Sequence, residues 1–152
     1  LATSRLPPER LEIEITESVL LEKTTRSVTT LKQLRDIGVR ISMDDFGTGF
    51  SSLSYLRSYP FDKIKVDRSF VRDLTKDDRS RTIVSAIAGL GTRFGMRTTA
   101  EGVETEEQLA WLRNEGCDEA QGLLFSMAVP AARVLSLLAE LGEEPSRSEN
   151  AA

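Results

Sequence analysis

Apolar and polar positions along this chain switch repeatedly between two periods. Residues 11–15 alternate strictly, with Leu11, Ile13 and Ile15 on one side and Glu12 and Glu14 on the other, which predicts a strand. Residues 24–37 then carry apolar positions at helical spacing and stop at Gly38. The same exchange recurs downstream. Strands are predicted over 39–43, 63–66, 97–100 and 119–123, and helices over 51–59, 80–94, 105–114 and 131–141. Pro60 stops the helix over 51–59, a charged connector follows the strand over 63–66, and Gly116 closes the helix over 105–114. Thr105 with Gln108 three residues on predicts a capping box. The polar tail 143–152 reads as disordered, leaving 1–142 as one domain.

Repeated strand-helix units predict parallel strands joined by crossovers, hence an α/β fold. Buried parallel strands usually read as continuous apolar runs, and these do not. Val39, Ile41 and Met43 oppose Arg40, Ser42 and Asp44, and Ile64 and Val66 oppose Lys63, Lys65 and Asp67. One face is apolar and packs under helices; the other is charged. A sheet with one solvated face would explain this, but the interleaved helices favour a barrel whose interior is polar near its rim. Barrel enzymes carry catalytic groups at the C-terminal ends of their strands. Glu14, Asp44, Asp45, Lys65, Glu101 and Gln121 all fall at or just past such ends.

Composition narrows the chemistry. The 152 residues suffice for one domain with a real core, at 39% apolar and 29% charged. A net charge of −4 argues against a duplex nucleic-acid partner. The single cysteine, Cys117, permits no internal disulfide and fits a reducing, cytoplasmic setting. There is no histidine. Ser-His-Asp catalysis and His-ligated zinc are therefore excluded within this chain, and any metal must be held by oxygen ligands, which favours Mg²⁺, Mn²⁺ or Ca²⁺. Carboxylates meeting on one rim repel unless divalent cations sit among them. Two such cations could bind both attacking and leaving oxygens of a phosphodiester, and Lys65 adds a compact positive charge. Each element has a plainer reading: Asp44–Asp45 as a turn, Lys65 as an ion-paired side chain, Glu101 and Glu104 as acidic residues before a helix, and Gln121 as a polar strand residue. The loop over 44–49 has neither EF-hand nor P-loop spacing.

Five motifs in order resemble those of the EAL domain family. They are Glu14-Ile15-Thr16-Glu17, Asp44-Asp45-Phe46-Gly47-Thr48-Gly49, Ile64-Lys65-Val66-Asp67, Ala100-Glu101-Gly102-Val103-Glu104, and Gln121-Gly122 followed by Leu124-Phe125-Ser126. The resemblance implies a partial TIM-like (β/α) barrel of about five C-terminal strand-helix units. It implies hydrolysis of cyclic-di-GMP to linear pGpG with two Mg²⁺ or Mn²⁺ ions. By the same resemblance Glu14 and Asp44 would hold one metal, and Asp44, Asp45 and Glu101 the other. Glu101 would also be the general base, Lys65 would position water or balance charge, and Gln121 would hold the nucleophile or substrate. Glu17, with Glu104, would support the loop over 45–50 that links the metal site to dimerisation.

Departures accompany the resemblance. The Glu-Ala-Leu motif that names the family is absent, as is the asparagine completing the first metal's ligands, and the sequence begins at Leu1. The expectation is that about three strand-helix units of an eight-stranded barrel lie upstream. Leu123 stands where an aromatic is common, and Met127-Ala128 replaces a frequent basic-proline pair. Both changes would loosen the guanine pocket. Three functions compete. One is a catalytic phosphodiesterase needing upstream strands; the second is a non-catalytic cyclic-di-GMP-binding regulatory module. The third is an inactive fragment, whose open sheet edges would make it unstable or self-associating. The family further implies a homodimer, an upstream sensory or diguanylate cyclase domain, and a cytoplasmic location, with membrane tethering left open.

Overall fold

The structure is a computed structural model that describes residues 3–16, 25–48, 56 and 58–142. Five strands form one sheet: β1 (Glu12–Thr16), β2 (Arg40–Phe46), β3 (Lys63–Val66), β4 (Arg97–Glu101) and β5 (Glu119–Gln121). All four pairings are parallel and the spatial order follows the sequence order, β1-β2-β3-β4-β5. A doubly wound sheet reverses its order at a switch point; an order with no reversal is that of a (β/α) barrel wall. The helices are α1 (Thr25–Asp36), α2 (Arg68–Arg72), α3 (Asp78–Phe94), α4 (Glu106–Asn114) and α5 (Val134–Gly142). Short 3₁₀ turns occupy Pro8–Arg10 and Ala131–Arg133.

The core lies between the sheet and its helices. Ile41, Met43, Ile64 and Val66, all on the apolar face read from the sequence, are completely buried, as is Ala100 on β4. Each large aliphatic side chain hidden there contributes about 1.5–3 kcal/mol relative to exposure. Val84, Ile87 and Ala88 of α3 and Leu109 and Leu112 of α4 close over that face. In contrast, α5 buries none of its side chains. Among the described residues no helix is long and apolar enough to cross a membrane.

The opposite face is concave. Lys63 on β3 reaches Glu12 on β1 at 2.9 Å and Glu119 on β5 at 2.8 Å. Neighbouring strands lie about 4.8 Å apart, so in a flat sheet β1 and β5 would run about 10 Å to either side of β3. One ammonium can touch carboxylates from both only if the sheet curls around its polar side.

Several boundaries differ from the sequence reading. The second strand runs to Phe46, so Asp44 and Asp45 belong to a strand and not to a loop. The charged connector holds α2, whose N-cap Asp67 accepts a hydrogen bond from the Ser69 amide at 3.0 Å. The last strand ends at Gln121, two residues early, because Val103 N donates to the Gln121 carbonyl and Gly122 turns the chain away. Thr105 does cap α4, with Gln108 completing the capping box. Glu17, the tail 143–152 and all but Leu56, Ser58 and Tyr59 of the helix at 51–59 lie outside the described residues.

Candidate functional site

The C-terminal ends of β1 to β4 bring five ionisable side chains together. Lys65 stands at the centre, only 5% exposed. Its Nζ lies 2.7 Å from Glu14 Oε1, 3.1 Å from Asp44 Oδ1 and 2.6 Å from Glu101 Oε1. Burial alone would favour the neutral amine. The carboxylates of Glu101, Glu14 and Asp44 outweigh it and hold the ammonium well above its ordinary range. Lys65 is thus a permanent cation with three acidic partners from three strands.

A bulge explains how two consecutive aspartates serve one rim. Successive strand residues point to opposite faces. Between β2 and β3 the register passes from Met43↔Ile64 to Phe46↔Val66, so β2 advances three residues while β3 advances two. Asp44 and Asp45 together therefore face Lys65. Asp45 takes φ 55°, a left-handed conformation that costs a non-glycine residue about 1–2 kcal/mol. The kink is held from below, where Thr48 donates to the Asp45 carbonyl from its amide at 3.3 Å and its Oγ1 at 2.9 Å.

One carboxylate oxygen each from Asp44, Asp45 and Glu101 lies within 4.8 Å of the others. Burial, then Asp44, then Asp67 push the Asp45 carboxyl above its usual range, against the pull of Lys65 and Arg68. Asp44 Oδ1 is buried with no hydrogen bond; the Lys65 contact at 3.1 Å is an ion pair without hydrogen-bond direction. A buried, unsatisfied carboxylate oxygen beside crowded acids is a donor set suited to a hard divalent cation. The residues present fit such an ion.

The remaining predicted residues lie around this centre. Glu14 is half-exposed and turned to Lys65; it is not one of the three mutually close carboxylates. Gln121 is exposed at the end of β5, in register with Glu101. Glu104 is exposed, and its amide donates to Gln108 Oε1 at 2.8 Å, so its backbone is fixed while its side chain reaches solvent. Gly122 has no alternative: a Cβ there would stand 2.1 Å from the Val103 carbonyl oxygen and 2.3 Å from Val103 N. Gly102 takes φ 70° with Arg68 Cβ 2.7 Å from where its own would be. A groove of about 810 Å³ opens beside the acids, lined by Arg68, Gly102, Glu104, Gln121, Leu123 and Phe125. Leu123, Met127 and Ala128 are exposed.

Sequence reasoning passed over one group. Glu12, Lys63 and Glu119 form a second charged layer beneath the first, with Glu119 also bonded to Arg97 Nη1 at 2.8 Å and Thr99 Oγ1 at 2.9 Å. The signal was available, since Glu12-x-Glu14 on one strand and Lys63-x-Lys65 on another repeat with the same period of two.

Comparison with known proteins agrees with this architecture. A family model described as the EAL domain matches residues 1–128. The bifunctional diguanylate cyclase/cyclic di-GMP phosphodiesterase MucR of Pseudomonas aeruginosa is 43% identical over 134 residues, 88% of this chain and 20% of that protein. The solved PaMucR phosphodiesterase, in complex with c-di-GMP, superposes with a TM-score of 0.83 at 43% identity, covering 88% of this chain and 54% of that one. Klebsiella pneumoniae BlrP1, solved as a manganese/cy-diGMP complex, gives 0.78 at 38% identity, with 84% and 32% covered. The chain spans a fifth or less of the curated relatives it matches. Its ordered motifs, its reversal-free parallel sheet and a family match over most of its length together establish that this chain belongs to the EAL domain family.

Proposed function

We propose that this chain carries part of a cyclic-di-GMP phosphodiesterase site that yields linear pGpG with two divalent cations, Mg²⁺ or Mn²⁺. The observation that carries the reading is the convergence of Asp44, Asp45 and Glu101 around Lys65 at the strand ends. The cations would be held by Asp44, Asp45 and Glu101, with Glu14 turning from Lys65 to serve the second. When bound they supply charge neutralisation at the phosphodiester and a more acidic water.

The chain's own groups supply the rest. Glu101 accepts the proton of the attacking water at a carboxylate oxygen. Lys65 is already fully charged and keeps Glu14, Asp44 and Glu101 gathered, so the site is organised before substrate arrives. Gln121, level with Glu101 on the next strand, orients the water or a phosphate oxygen through its amide. The groove beside it is large enough for a purine, and Leu123 and Phe125 offer apolar contact for a base.

The test is turnover of cyclic-di-GMP by the protein bearing this chain, followed as pGpG on ion-pair chromatography. Hydrolysis should require Mg²⁺ or Mn²⁺, and Glu101→Gln should lower kcat by about 10²–10⁴, the usual contribution of a general base. Binding of cyclic-di-GMP without any turnover in either metal would overturn the hydrolytic reading in favour of a receptor.

A further inference from the structure

We infer that Lys63 is a positioning residue: it clips β1 to β5 beneath the metal centre and so sets the curvature on which the spacing of the acidic ligands depends. The inference rests on the proposed metal site and adds a residue to it. Lys63 side-chain exposure is only 14%, and both its carboxylate contacts are shorter than 3 Å. Those contacts come from the two margins of the sheet. Glu12 precedes Glu14 by one full pleat on β1, and Lys63 precedes Lys65 by one on β3. Glu119 precedes Gln121 in the same way on β5. Whatever fixes the lower layer therefore fixes, through three rigid strands, where Glu14, Lys65 and Gln121 stand in the upper one.

The clip is anchored unequally. Glu119 has two further partners, Arg97 and Thr99, and stays in place without Lys63. No other cation lies within 4 Å of Glu12 among the described residues. Removing the ammonium leaves two carboxylates facing each other across the concave side, and their repulsion pushes β1 and β5 apart. Glu14 then moves away from Asp44 and Glu101. Arginine at 63 would keep the charge and both bonds; methionine keeps only the length.

Two measurements on the protein bearing this chain test this, each on Lys63→Met, Lys63→Arg and Glu12→Leu. Nitroxide labels at the exposed positions Arg10 and Asn114, in a Cys117→Ser background, report the distance between the two margins by pulsed electron paramagnetic resonance. Mn²⁺ affinity is read from the signal of the free ion. The expected result is a wider distance between β1 and β5 in Lys63→Met and in Glu12→Leu, which removes the acceptor, a roughly tenfold loss of Mn²⁺ affinity in both, as for other groups that support metal ligands, and recovery of both values in Lys63→Arg. Should Lys63→Met fail to fold, Glu12→Leu, which leaves Lys63 paired with Glu119 and so adds no unpaired charge, carries the test. An unchanged distance with unchanged affinity in Glu12→Leu overturns the clip. Absence of Mn²⁺ binding by the wild-type protein bearing this chain would instead defeat the proposed function, and the distances alone would then decide the clip.

Discussion

Replacing Lys65 by methionine separates a structural lysine from one that stands in for a metal. The side chain holds Glu14, Asp44 and Glu101 at 2.6–3.1 Å and is itself buried. Asp44 and Glu101 are each 20% exposed, while Glu14 is 48% exposed and counts for less. Breaking buried pairs by removing one partner costs about 3–5 kcal/mol, because the remaining charges lose their counter-ion. With a urea slope of about 2 kcal/mol per molar, that moves the unfolding midpoint down by about 1.5–2.5 M in metal-free buffer. Without the ammonium the freed carboxylates should bind Mn²⁺ more tightly than in wild type, and a hundredfold tighter affinity would return about 2.7 kcal/mol of the difference at saturating metal. The assay is urea unfolding of wild type and Lys65→Met, followed by circular dichroism, with EDTA and with saturating Mn²⁺. The difference between the two proteins should shrink when metal is present. A loss below about 1 kcal/mol, the size of an exposed ion pair, or an equal loss in both buffers, would refute the argument that lysine and metal share one electrostatic role.

Two further outcomes follow from the geometry. Gly122→Ala drives a methyl against the Val103 backbone, which cannot rotate aside; a cost of about 3 kcal/mol or more is expected from chemical denaturation, and a neutral effect would contradict the described approach of β5 to the 101–105 turn. The Glu119 carboxyl has burial against it, but bonds to Lys63, Thr99 and Arg97 hold its pKa below the usual value. A depressed carboxylate stabilises the fold above the ordinary glutamate range and loses that contribution as pH falls through its folded value. Glu119→Gln should therefore be less stable than wild type at pH 7, with the gap narrowing as pH falls below the ordinary glutamate range, as read from thermal unfolding; a gap independent of pH would refute it.

Much of this was legible in the residues. Period-two alternation in Leu11–Ile15 and Lys63–Val66 announced both the strands and the charged interior, because a barrel wall sorts side chains by face. The acids at the strand ends were legible for the same reason. What pattern could not supply was the bulge that keeps Asp45 within the strand. A glycine-rich stretch after two aspartates looks like a loop, whereas the bulge at Met43/Phe46 keeps them in the ladder. Bulges depend on the partner strand's register, which a single strand does not encode. Lys63 was read as one more polar residue, since its partners lie 51 and 56 positions away and meet it only once the sheet has curled. The cap on α2 was hidden by the brevity of the helix.

Asp45 sits in a backbone geometry that glycine or asparagine adopts more readily, and its charge is crowded by Asp44 and Asp67. As a scaffold, then, the molecule would be sounder with a different residue at that place. Under the proposed function, what the fold tolerates there gains its value from a bound cation, so robustness and chemistry would pull this one position in opposite directions. Any effort to harden the protein by backbone relief or charge removal will reach Asp45 early, and in doing so will dismantle the feature most worth keeping.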